Sequence, residues 1–116
     1  MTARRALCRA EEIAEGEARG FPAAPGGLTG LVALRRGGAL RVYVNACPHL
    51  GLPLEMLPDR FLDAAGRYLV CSAHGARFRP EDGRCVSGPC LGQALEPVPC
   101  EVDADGMLTV PADAGR

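Results

Sequence analysis

"NACPHLG", residues 45–51, and "CSAHGARF", residues 71–78, decide how this chain is read. Each places a cysteine just ahead of a histidine, and each histidine stands directly before, or one residue short of, a glycine. The two histidines are the only ones in the sequence. Written as spacing, the set is Cys47-x-His49, a connection over 50–70, then Cys71-x-x-His74. Taken alone, a cysteine is usually a small core hydrophobe, and a histidine usually sits at the surface or in a hydrogen-bonded core. Six cysteines and two histidines scattered at random give this double arrangement roughly a few times in a thousand. The pattern therefore reads as four ligands to metal rather than two turns that happen to contain them.

The rest of the composition narrows the setting. A chain of 116 residues is the size of one ordinary domain, so residues 1–116 read as one unit. The formal net charge is -1, and the 13 basic residues, all arginine, are scattered rather than gathered in a stripe. No nucleic-acid partner is expected from that distribution. Behind the Arg4-Arg5 pair no apolar core of a secretory signal follows. Nowhere is there an apolar run of about eighteen residues, so no membrane span is expected. The expected location is the cytoplasm. In a reducing compartment the 6 cysteines read as metal ligands or reactive thiols before three structural disulfides.

Around the two cysteine–histidine boxes, the chain reads as all-β. Its 10 prolines and 15 glycines interrupt the sequence too often for a long helix. "LTGLVALRR" (28–36) and "ALRVYVNA" (39–46) form a hairpin across Gly37-Gly38, since both glycines tolerate positive φ. "RYLVCSA" (67–73) reads as a further strand after the Asp63–Gly66 turn, and "LEPVPCEVDADGMLTV" (95–110) as two more around Asp105-Gly106. Pro97 and Pro99 cannot donate ladder hydrogen bonds, which places that strand at an edge. The one helix candidate, "AEEIAEG" (10–16), reads as a connector. Residues 45–92 differ in kind: turn residues dominate, and both histidines and four cysteines fall there. They read as a loop-rich insertion on a β scaffold, where function tends to collect.

The choice of metal follows from how the ligands are grouped. Tetrahedral zinc also accepts two thiolates and two imidazoles, but zinc modules normally pair like ligands within one stretch. Here each stretch supplies one ligand of each type, which suits a binuclear centre with both thiolates on one iron and both imidazoles on the other. That is the ligand set of a Rieske [2Fe-2S] cluster. "CPHLG" and "CSAHGARF" resemble the two cluster-binding boxes of Rieske iron–sulfur proteins, above all the small soluble Rieske ferredoxins. "EDGRCVSGPC" (81–90) resembles the segment after the second box, where a Gly-Pro loop covers the cluster. The connection between the boxes, including "EMLPDRFLDAAG" (55–66), is several residues longer than in most small members of the family.

This resemblance implies an all-β, Rieske-type antiparallel sandwich with a small cluster-binding subdomain over about 45–92. It implies Cys47, His49, Cys71 and His74 as the cluster ligands, one [2Fe-2S] cluster per chain, with Leu50, Gly51, Gly75, Ala76, Phe78, Gly88 and Pro89 around them. Gly51 and Gly75 allow tight turns that let backbone N–H groups approach the bridging sulfides, and Leu50 and Pro89 belong to a docking face. High-potential members of the family add a disulfide between the boxes and serine and tyrosine hydroxyls near the cluster. The matching positions here are Leu52, Ala73, Ala76 and Phe78, which offer neither, so a potential near the low end of the Rieske range, roughly -150 mV, is expected.

The implied role is one-electron transfer, not catalysis, between a flavin-dependent reductase and a terminal oxygenase or other redox enzyme. No further His/His/carboxylate triad is present for an oxygenase site. A small accessory subunit of a nitrite-reductase-like complex and a structural zinc module are the alternatives. Cys8 and Cys100 read as core or edge residues of strands. Cys85 and Cys90 flank "VSGP" near the cluster cover and read as thiols in a tight loop, with a disulfide or redox-active role as the alternative. "RFRPEDGR" (77–84), with Arg77, Arg79 and Arg84 against Glu81 and Asp82, reads as a solvated turn, with a docking patch as the alternative.

Overall fold

The computed structural model of the chain describes residues 3–24, 27, 29–48, 51, 53–55, 60–72 and 75–115. Among the described residues ten strands form three antiparallel sheets: β1 (Arg4–Arg9), β2 (Ala18–Phe21), β3 (Leu31–Arg36), β4 (Ala39–Val44), β5 (Leu69–Val70), β6 (Arg77–Phe78), β7 (Cys85–Ser87), β8 (Pro97–Val98), β9 (Glu101–Val102) and β10 (Met107–Pro111). The orders are β1-β10-β9, β2-β3-β4-β8 and β5-β6-β7.

Why the four-stranded sheet lies at the centre is visible in β3. Its first four residues, Leu31-Val32-Ala33-Leu34, are all buried, as expected of a strand covered on both faces. Side chains alternate across a strand, so Val32 and Leu34 share one face with Tyr43, the cross-strand partner of Val32. That face packs against Leu69, Phe78 and Cys85 of the β5-β6-β7 sheet. Leu31 and Ala33 share the other face with Val44 and Val42. Those residues pack against Cys8, Leu108 and Val110 of the β1-β10-β9 sheet. The central sheet thus serves two cores, and the third sheet, all within residues 45–92, is built on one of them.

The β3–β4 hairpin turns through Gly37 and Gly38 at φ +61° and +81°, the two-residue turn the sequence calls for. The Glu15 carboxylate accepts hydrogen bonds from both glycine N–H groups, at 2.7 and 2.8 Å, and these bonds hold its pKa below the ordinary range. The 10–16 stretch is a connector, with a single 3-10 turn at Ala10–Glu12. Arg35 anchors it by donating to the Ile13 and Ala10 carbonyls at 2.7 and 2.8 Å.

Three expectations are corrected in detail. The strand expected over 67–73 is only Leu69–Val70, because Cys71 already begins a loop. The strand expected over "LEPVPCEV" is two, in different sheets: β8 pairs with β4, and β9 with β10. Pro99, with no N–H to donate, stands where the chain changes sheets. Cys100 consequently lies between strands, half-buried, its thiol directed at the Leu40 carbonyl. Cys8 is a buried residue of β1 as expected, and β8 is an edge strand as its prolines require.

Candidate metal centre

Two loops of the same local design carry Cys47 and Cys71. In the first, the Gly51 N–H donates to the Cys47 carbonyl at 2.6 Å; in the second, the Gly75 N–H donates to the Cys71 carbonyl at 2.7 Å. Both closing glycines are left-handed, at φ +74° and +72°. A Cβ at either position would meet nothing within 4 Å, so the backbone angle, not crowding, calls for glycine there.

The loops spring from different supports. The first leaves the end of β4, where Asn45 is buried and its main-chain N–H donates to the Gly30 carbonyl at 2.9 Å. The Asn45 side chain accepts from the Leu54 N–H at 2.9 Å and donates to the Glu55 carboxylate at 2.8 Å. The second loop joins β5 to β6 and is closed by the Cys71 N–H on the Ala76 carbonyl at 2.9 Å. Fully buried Leu54 bridges the two: its N–H goes to Asn45, and its carbonyl takes the Ser72 N–H at 2.8 Å.

A third loop closes over both. Gly88, at φ +97°, lies so near the second loop that a Cβ would come 2.7 Å from Ala76 Cα. From the same loop, Cys90 is fully buried and brings its Sγ to 3.5 Å from Cys47 Sγ. The main chain holds it there through the Leu91 N–H on Gly88 and the Gln93 N–H on Cys90, at 3.2 and 2.8 Å. Pro89 is exposed, and so is Leu91, at 67%.

Behind the site the 79–84 turn ties the small sheet to the central one. Tyr43 of β4 donates its hydroxyl to the Pro80 carbonyl at 2.7 Å, and burial pushes its pKa up to about 12. Arg79 pairs with Asp82; with the Arg84 N–H it pulls that carboxyl down to about 2. Glu81 pairs instead with Arg36 of β3 at 3.6 Å. Residues 79–84 of the arginine-rich stretch are thus a charge-paired turn, while Arg77 and Phe78 are strand β6.

Of the residues singled out by sequence, Cys47, Cys71, Ala76, Phe78, Cys85 and Cys90 are buried in one core cluster. Gly51, Gly75, Gly88 and Pro89 are exposed at its border. His49, His74 and Leu50 lie outside the described residues, as do Leu52 and Ala73. Among the described residues, which include neither histidine, no group of three or more metal-binding side chains forms, and no helix is long and apolar enough to cross a membrane. The six cysteines form no disulfide; Cys85 directs its thiol to the Ser87 carbonyl at 3.2 Å. Sequence reading passed over Asn45 and Leu54. The one signal for Asn45 was an amide residue directly after a strand, a position that favours side-chain-to-backbone bonding.

Two buried thiols on twin loops, each loop also encoding a histidine, are the donor chemistry that a Rieske cluster requires. Comparison with known proteins agrees. The family model described as Rieske [2Fe-2S] domain matches residues 4–104. The chain belongs to this family, whose domain binds a [2Fe-2S] cluster.

Among solved structures, a chain of the complex of reduced oxygenase and oxidized ferredoxin in carbazole 1,9a-dioxygenase is similar, with 24% identity and a TM-score of 0.73. The alignment covers 97% of this chain and 96% of that one. The ferredoxin of carbazole 1,9a-dioxygenase from Nocardioides aromaticivorans IC177 gives 19% identity and a TM-score of 0.70, over 94% of this chain and 97% of that one. The terminal oxygenase of the same system from the same organism gives 24% and 0.72, but this chain spans only 30% of its length. At these identities the likeness is one of fold. A comparison with curated proteins finds no match.

Proposed function

We propose that the chain is a one-electron carrier in which Cys47 and Cys71 hold one iron of the [2Fe-2S] cluster and His49 and His74 the other. Residues 1–116 then act as one Rieske domain, with residues 45–92 as its cluster-binding part. The bound cluster supplies a reversible one-electron couple. The protein's own part is to hold it: twin glycine turns aim the two cysteines, Leu54 fixes one loop against the other, and the Gly88–Cys90 loop excludes water from the thiol side. Its role is transfer rather than catalysis, in the cytoplasm, from a flavin-dependent reductase to a terminal oxygenase. The observation that carries this reading is the family match combined with a fold shared almost end to end with a dioxygenase ferredoxin.

Exposed Pro89 and Leu91 on the covering loop, with Val86 beside it at 39% exposure, support a docking face at that end. With no hydroxyl donor at Ala76 or Phe78, the cluster's potential lies near the low end of the Rieske range, roughly -150 mV.

Anaerobic purification tests the reading. Red-brown protein with two irons per chain and a Rieske-type EPR signal on dithionite reduction is expected. Colourless protein with one zinc per chain would overturn it. Transfer is tested by stopped-flow reduction with a flavin reductase, followed by reoxidation with a terminal oxygenase.

A further inference from the structure

The covering loop contributes more than a lid. Cys90 is fully buried, and its Sγ stands 3.5 Å from that of Cys47, within hydrogen-bond range for sulfur. Either sulfur is placed to donate, but a cysteine that ligates metal does so as thiolate and has no proton to give. Given the cluster reading above, on which this inference rests, the Cys90 S–H is the donor and the Cys47 sulfur the acceptor. The geometry is fixed: Gly88 is pressed against Ala76, and Gln93 N–H holds the Cys90 carbonyl at 2.8 Å. Cys90 is therefore presented to the first loop by a turn that rests on the second.

We propose that Cys90 is a potential-setting residue, donating an S–H···S hydrogen bond to the Cys47 ligand and thereby favouring the reduced cluster. Reduction adds negative charge that is shared with the ligand sulfurs, so a donor to one of them stabilises the reduced form more than the oxidised one. The positions matched to the hydroxyl donors of high-potential relatives, Ala76 and Phe78, are buried without a polar side-chain group, and Leu52 and Ala73, matched to the disulfide, carry no donor either. Cys90 supplies one donor from a third direction. An alanine there would fill almost the same space without donating; a serine would donate more strongly than a thiol.

Spectroelectrochemical titration of the purified holoprotein, wild type against C90A and C90S, tests this. With C90A the ratio of reduced to oxidised protein at a fixed electrode potential should fall about tenfold, about 59 mV for one electron. C90S should match or exceed wild type, with the Rieske EPR signal kept in all three. Equal potentials in wild type and C90A, or an equal fall in C90A and C90S, would overturn the proposal, the second result marking a packing role. The bond is also read by infrared absorption in C8A/C85A/C100A, which removes the other non-ligating thiols, two of them directed at carbonyls, and leaves Cys90 alone in the S–H region. An S–H stretch displaced from that of an unbonded thiol is expected for Cys90, and an undisplaced one overturns the proposal whether or not C90A and C90S fold. Wild type with no Rieske signal overturns the cluster reading and this inference together; a loaded wild type whose potential ignores C90A overturns the inference alone.

Discussion

The Cys47 and Cys71 loops close with the same bond onto the same kind of left-handed glycine, yet they are held by unlike means. The Cys71 loop is the end of a hairpin, shut by its own neighbours through the Cys71 N–H on Ala76. Among the described residues no returning strand stands beside the Cys47 loop. Its position depends on the Asn45 amide, which reaches forward to Leu54 and Glu55. One cysteine is therefore placed by local structure and the other by a side chain, and Leu54 transmits the position of each to the other.

The largest effect should come where the loops are equivalent. If both cysteines hold the same iron, C47A and C71A each abolish cluster binding, read as loss of more than nine-tenths of the iron and of the visible absorbance. Survival of the cluster in either variant would break the equivalence.

Asn45 separates the loops. N45A strands the Leu54 N–H and the Glu55 carboxylate, and should cost about 1–3 kcal/mol in denaturant unfolding. S72A, on the other loop, leaves the main-chain bond to Leu54 intact and should stay within about 0.5 kcal/mol. Equal losses from the two would show that the first loop does not depend on its amide.

The glycines sharpen the likeness. Neither Gly51 nor Gly75 has a neighbour that a Cβ would strike, so G51A and G75A should each cost about 1–2 kcal/mol, from backbone angle alone. G88A should cost more than either, because its Cβ would overlap Ala76 as well as adopting a left-handed φ. Thermal unfolding of the three variants side by side checks the ranking.

A smaller effect than at the glycines lies behind the site, at the bond that ties both loops' sheets together. Tyr43 keeps its proton to about pH 12 in the fold and to about pH 10 once unfolded. Its raised pKa contributes stability that is complete below about pH 10 and is lost as pH rises toward 12. Y43F should remove that part of the pH dependence and cost about 0.5–1.5 kcal/mol at neutral pH through the lost bond to Pro80. Unfolding curves across that range for both proteins provide the check.

Much of this was legible because the signals are local. Gly37-Gly38 gave the hairpin, the apolar run Leu31–Leu34 a strand, and Pro97 an edge, each through a restriction on a single backbone. The split of "LEPVPCEV" between two sheets was not legible, because the alternation of its side chains is the same whichever neighbour each half pairs with. Nor was the second buried face of β3, which depends on a sheet formed more than thirty residues later in the chain.

By itself the sequence determined the chemistry available: two cysteine–histidine boxes with their glycines, because ligand spacing and left-handed turns are properties of short segments. Only the tertiary structure decided how the boxes are held and what stands beside them. Leu54 joins the loops, and Cys90 reaches Cys47 across 43 positions of sequence, because close packing brings together groups whose separation along the chain carries no signal.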